Sequence, residues 1–126
     1  MRQTLIFPGQ GSQAVGMGRD LAQNYAEARA VFDAVDEALG RKLSGLIWDG
    51  PEDELTLTEN AQPALMAVSM AVVRVLEARG YSIASKASYL AGHSLGEYAA
   101  LTAGGALKLE DTARLLKLRG QAMQRA

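Results

Sequence analysis

Apolar positions along this chain fall into two kinds of run, and the two kinds alternate. Thr4-Leu5-Ile6-Phe7 is short, apolar and partly β-branched, and Pro8-Gly9 ends it. That pattern predicts a buried strand running into the loop Gly9-Gln10-Gly11-Ser12-Gln13. From about Arg19 to Leu39 the residues Leu21, Tyr25, Ala28, Phe32, Val35 and Leu39 recur at helical spacing, with Gly40 as the stop. Leu43 to Trp48 reads as a short helix closed by the turn Asp49-Gly50-Pro51. The next helix has Thr58 or Asn60 as its cap, Pro63 near its first turn and Gly80 just past its end.

Ala87 to Ala91 is a second strand, Gly92 to Gly96 a tight turn, and Glu97 to Ala103 a helix that Gly104-Gly105 breaks. Glu110 and Asp111 open a last helix, placing acids in its first turn as the helix dipole favours. Strands separated by helical stretches predict an α/β fold with a parallel sheet. Gln121-Ala122-Met123-Gln124 still reads as helix after Gly120, and no stop follows. Residues 1–126 are therefore expected to be the N-terminal segment of a larger domain.

Composition narrows the partners more than the fold. The 126 residues are 48% hydrophobic and 21% charged, an ordinary globular mix with room for one domain at most. The sequence shows no internal repeat and no low-complexity linker. The absence of cysteine removes disulfides, thiol nucleophiles and thiolate metal sites, and no metal is expected. Thirteen basic against fourteen acidic residues give a formal net charge of −1, which is no electrostatic footprint for nucleic acid. The N-terminal apolar run Leu5-Ile6-Phe7 is far shorter than the roughly 7–15 residues of a secretory signal. Ala64 to Leu76, the most apolar stretch, is interrupted by Ser69 and Arg74 and falls short of the roughly 20 residues of a membrane span. It is read as a buried helix in a cytoplasmic protein with no membrane partner.

Gly92-His93-Ser94-Leu95-Gly96 lies between the second strand and the helix after it. Taken alone, Gly-x-Ser-x-Gly is equally a glycine-rich turn with a serine N-cap. The flanking strand and helix favour a nucleophile elbow, a turn so sharp that bulky residues cannot flank the serine. Ser94 Oγ and the Leu95 N–H then face one point at a helix N-terminus, where the dipole favours developing negative charge. A serine also needs a base, most often histidine, within hydrogen-bond reach. The only histidine is His93, a poor base because adjacent side chains on a strand point to opposite faces. Packing, a hydrogen bond that holds the elbow, and substrate contact remain open for it. The base itself is expected outside these 126 residues.

With these residues in view, the chain resembles the malonyl-CoA:acyl carrier protein transacylases of fatty-acid synthesis, relatives of polyketide-synthase acyltransferase domains. The resemblance runs in order through Phe7-Pro8-Gly9-Gln10-Gly11-Ser12-Gln13, Gln62-Pro63-Ala64-Leu65, Gly92-His93-Ser94-Leu95-Gly96-Glu97-Tyr98, and Arg119-Gly120 with Met123-Gln124. It implies a hydrolase-like α/β core, with a ferredoxin-like subdomain and the rest of the core beyond residue 126. It implies that Ser94 carries the acyl group and that the N–H groups of Gln10 and Leu95 form the oxyanion hole. Arg119 is then the residue that binds the free malonyl carboxylate, and a downstream histidine is the base. Malonyl-CoA and acyl carrier protein are the implied partners, and no cofactor is implied. The choice between malonyl and methylmalonyl stays open, Leu95 leaning to malonyl by resemblance only. This chain alone is expected to be inactive for lack of that histidine. A serine esterase or thioesterase with the same elbow, and a non-catalytic fragment, are the alternatives.

Helix geometry allows the Arg119 role. From Ser94 to Ala103 a helix climbs about 14 Å, and from Asp111 to Arg119 its neighbour descends about 12 Å. Both side chains can therefore share one end of an antiparallel pair. A planar guanidinium suits a carboxylate through two parallel hydrogen bonds. The plainer reading is an exposed arginine on a basic face with Arg114, Lys117 and Arg125. Gln62 either orders the loop at a helix start or faces the substrate, and Gln10 is a loop amide unless its N–H is an oxyanion donor. Glu97 and Tyr98 are expected to support the turn, and Met66, Met70 and Met123 to fill the core.

Overall fold

The computed structural model describes residues 3–126; Met1 and Arg2 lie outside the described residues. Strand β1 (Gln3–Phe7) pairs in parallel with β2 (Ala87–Gly92), placing Leu5 opposite Leu90 and Phe7 opposite Gly92. Between the strands run α1 (Arg19–Asn24), α2 (Ala26–Leu39), α3 (Leu43–Asp49), α4 (Glu52–Thr56), α5 (Thr58–Ala78) and α6 (Ile83–Lys86). Helices α7 (Leu95–Ala103) and α8 (Leu109–Arg125) follow β2. The architecture is α/β with a parallel sheet, as the alternation of runs predicts.

Several boundaries differ from the sequence expectation, each for a local reason. The run from Arg19 to Leu39 is two helices, because Tyr25 is extended at φ −134° and ψ 120°. Just before it, the Asn24 side-chain amide donates to the Asp20 carbonyl at 2.8 Å, a local bond that competes with helix continuation. Neither Thr58 nor Asn60 caps α5; Leu57 stands at the N-cap and contributes no side-chain bond. Asn60 is buried, with its Nδ2 donating to the Glu54 carbonyl at 2.9 Å and its Oδ1 accepting from Arg41 at 3.1 Å. Pro63 lies past the first turn, inside the helix. Gly40, at φ 66°, does end α2 in the left-handed conformation.

Helix α5 is the centre of the fold, packed against α2, α7 and α8. It is the one helix among the described residues long and apolar enough to cross a membrane, because it extends past the apolar stretch Ala64 to Leu76 at both ends. Its most apolar 18-residue window is nevertheless 61% buried inside the fold, and Met66 and Met70 are sealed in the core with Phe32, Ile47, Leu95 and Leu116.

Gly120 sits where α8 crosses the start of α5. A Cβ there would lie 2.5 Å from Glu59 Cα and 2.8 Å from the Thr58 carbonyl oxygen, both backbone atoms. Gly→Ala inside a helix ordinarily stabilises by up to about 1 kcal/mol. Here overpacking, which costs about 1–3 kcal/mol, opposes that gain. Gly120→Ala in the full-length protein is expected to be destabilising by about 1–2 kcal/mol, read as a lower midpoint in urea unfolding. An unchanged or raised midpoint would show that the two helices separate freely.

Candidate functional site

The site forms where β1 and β2 end and α7 begins. The His93 N–H donates to the Phe7 carbonyl at 3.2 Å, and the Gly96 N–H donates to the His93 carbonyl at 3.0 Å. Ser94 stands between them at φ 57° and ψ −113°, the one non-glycine with positive φ among the described residues. Such a conformation costs about 1–3 kcal/mol and persists only where its surroundings impose it. A Cβ on Gly92 would fall 2.0 Å from the Gly96 carbonyl carbon, and one on Gly96 2.3 Å from the Phe7 carbonyl oxygen. Those two glycines let the strand end and the helix start close on the serine.

Ser94 occupies the N-cap position of α7, but its hydroxyl makes no capping bond. Its Oγ instead accepts from Arg119 Nη2 at 3.1 Å. Leu95 is the first residue of α7, so its N–H is among those a helix leaves without an internal partner. Helices α7 and α8 are pinned to each other by the buried hydroxyls of Thr102 and Thr112, which meet at 2.7 Å. This contact holds Arg119 level with Ser94 at the far end of the pair.

Arg119 is half-buried and held from three sides. Its Nη1 donates to Gln62 Oε1 at 2.7 Å, its Nη2 to Ser94, and its guanidinium lies 5.5 Å from the centre of the Tyr98 ring. Among the described residues it has no carboxylate partner. The neighbouring Lys117, by contrast, pairs with Glu59 at 3.2 Å.

Gln62 is only 1% exposed, and its Nε2 donates to Thr58 Oγ1 at 2.9 Å and to Met123 Sδ at 3.3 Å. The Thr58 hydroxyl in turn donates to Gln10 Oε1 at 2.8 Å. One unbroken chain of side-chain hydrogen bonds thus runs from Ser94 through Arg119, Gln62 and Thr58 to Gln10. Within the Gln10 loop, the Gly11 N–H donates to Gln13 Oε1 at 2.8 Å.

His93 is exposed, and no hydrogen bond joins its ring to Ser94 among the described residues. A Cβ on Gly9 would meet His93 Nδ1 at 2.7 Å, so the ring lies against the Gln10 loop. Met123 is not a core filler; it is 48% exposed and offers its sulfur to Gln62. Sequence reasoning took Thr58 for a helix cap and undervalued Tyr98. The spacing of Thr58 and Gln62, four residues apart on one helix, does place them on a shared face and could have linked them.

Comparison with known proteins places the fold in a family. Residues 4–126 match a family described as acyl transferase domain. The malonyl CoA-acyl carrier protein transacylase of Bacillus subtilis (strain 168) is 47% identical over 121 residues, which is 96% of this chain and 37% of that one. The crystal structure of an acyl-carrier-protein S-malonyltransferase from Bartonella henselae superposes with a TM-score of 0.97 at 59% identity, covering 98% of this chain and 40% of that one. A structure of a type II PKS acyl-carrier protein in complex with its malonyl-transacylase superposes with a TM-score of 0.93 at 42% identity, over 99% of this chain and 40% of that chain. The chain therefore spans well under half the length of the relatives it matches.

Proposed function

The chain belongs to the acyl transferase domain family, and from that premise we propose that it supplies the serine and the carboxylate clamp of a malonyl transferase. The observation that carries this reading is the half-buried Arg119, without an acidic partner among the described residues, 3.1 Å from Ser94 Oγ. A cation so placed suits an acyl group that ends in a carboxylate. A serine esterase or thioesterase would use the same elbow with no need of the clamp.

In this proposal Ser94 gives its proton to a base supplied from outside these 126 residues and attacks the thioester carbonyl carbon of malonyl-CoA. The carbonyl oxygen becomes an oxyanion facing the N–H groups of Gln10 and Leu95, each such donor contributing about 3–4 kcal/mol to the transition state. The carbon–sulfur bond breaks, the CoA thiolate takes the proton, and malonyl remains on Ser94 as an ester. The phosphopantetheine thiol of acyl carrier protein then attacks that ester, and Ser94 leaves with its proton restored. Throughout, Arg119 pairs with the free carboxylate, so the reacting carbonyl is placed from its far end. A cytoplasmic location is part of the proposal and is checked by cell fractionation.

The test is an intact mass of the full-length protein after mixing with malonyl-CoA and no acceptor. One malonyl adduct is expected, mapped by peptide digestion to Ser94 and discharged on adding acyl carrier protein. No adduct, or an adduct elsewhere, would overturn the reading.

A further inference from the structure

The geometry points to Thr58 as a positioning residue whose hydroxyl joins the carboxylate clamp to the oxyanion loop, an inference that rests on the roles proposed above for Arg119 and Gln10. The polarity of the hydrogen bonds fixes the arrangement as far as Thr58. Arginine only donates, so the Gln62 amide must turn its oxygen to Arg119 at 2.7 Å. The Gln62 NH₂ group is then aimed at Thr58, 2.9 Å away, and Thr58 must accept. The single hydroxyl proton of Thr58 is left for Gln10 Oε1, 2.8 Å away and 48 residues distant in sequence. Every donor in the chain points from the cation towards the loop.

Each member is set by the one before it. Gln62 is fully enclosed, so its amide has no water to turn to when a partner is lost. Gln10 is exposed, and its side chain gains a fixed place through Thr58. Fixing that side chain restrains the backbone N–H of the same residue, the proposed oxyanion donor. Thr58 makes its side-chain hydrogen bonds to Gln62 and Gln10 and none to Ser94 among the described residues. It acts through its two neighbours, and an apolar group of the same shape in its place would let both glutamines turn.

The test compares Thr58→Val, Thr58→Ser, Gln10→Ala and the double variant Thr58→Val with Gln10→Ala in the full-length protein. Valine keeps the β-branch at the start of α5, and Gln10 is exposed, so folding is retained and is checked by thermal unfolding. The first readout is the rate at which a fluorophosphonate probe labels Ser94, which needs the oxyanion loop but no malonyl chemistry. Thr58→Val is expected to slow labelling about tenfold and Thr58→Ser to restore it to within about twofold. Gln10→Ala should slow it as much, and the double variant no further, because both changes cut one tether.

Malonyl transfer, as the second readout, should lose kcat more than it gains KM. Labelling of Thr58→Val at the parent rate, or additive losses in the double variant, would overturn the role. A parent protein that labels at Ser94 yet transfers no malonyl would sink the proposed function, while the labelling ratios still decide the role of Thr58.

Discussion

Arg119→Ala in the full-length protein is expected to lower kcat/KM for malonyl-CoA by about 10²–10³, while transfer from acetyl-CoA falls only about tenfold. The size follows from losing a charge-assisted pair in a half-buried site, where each such hydrogen bond contributes about 1.5–3 kcal/mol. The selectivity follows from what Arg119 touches: Gln62 on one side, Ser94 on the other, and no acidic side chain among the described residues. An acetyl group has no charge to offer it, so that reaction loses only what Arg119 contributes through Ser94 and through Gln62 to the oxyanion loop.

Arg119→Lys is the informative companion. A lysine keeps the charge but not the planar fork that holds Gln62 and Ser94 at once, and it should recover only part of the loss. Parallel kinetics with the two thioesters decide the matter. An equal fall for malonyl and acetyl would mean that Arg119 serves Ser94 itself, and the esterase reading would regain its ground.

The parts of this site that the sequence revealed are those written in local chemistry. Glycines at 92 and 96 announce a turn whose flanks admit no side chain, and the apolar run before them announces the strand. Helix rise alone suggested that Ser94 and Arg119 could be level, and the structure separates them by one hydrogen bond. What stayed hidden depends on distant pairings. Thr58 has the residue type and position of an N-cap, and local rules assign it that role. Its hydroxyl is instead turned to Gln10, a loop that only the folded chain brings near. Met123 reads as a core residue by type, and becomes a sulfur acceptor because α8 lays its last turns beside Gln62. Gly120 looked like a misplaced stop until the crossing of α8 over Glu59 supplied its reason.

Gly96→Ala should cost about 10²-fold or more in Ser94 labelling and malonyl transfer together. The added Cβ would sit 2.3 Å from the Phe7 carbonyl oxygen, 2.9 Å from its carbon and 3.1 Å from the Pro8 carbonyl oxygen. All three are backbone atoms at the end of β1, and none can swing aside as a side-chain tip would. Relief requires the start of α7 to move off the strand by about 1 Å, since packed interiors leave no slack at that scale. That movement carries the Leu95 N–H and the Ser94 hydroxyl with it, and a misplacement of about 1 Å at a reacting centre can cost about 10²-fold.

It also strains the bond by which the His93 N–H holds the same Phe7 oxygen. Gly45→Ala is the control: its Cβ would meet nothing nearer than Lys42 Cβ at 3.9 Å, and it lies inside α3. That variant should be neutral or slightly stabilised. Labelling of Gly96→Ala at the rate of the Gly45→Ala control would mean that Ser94 does not depend on the closure of α7 against β1.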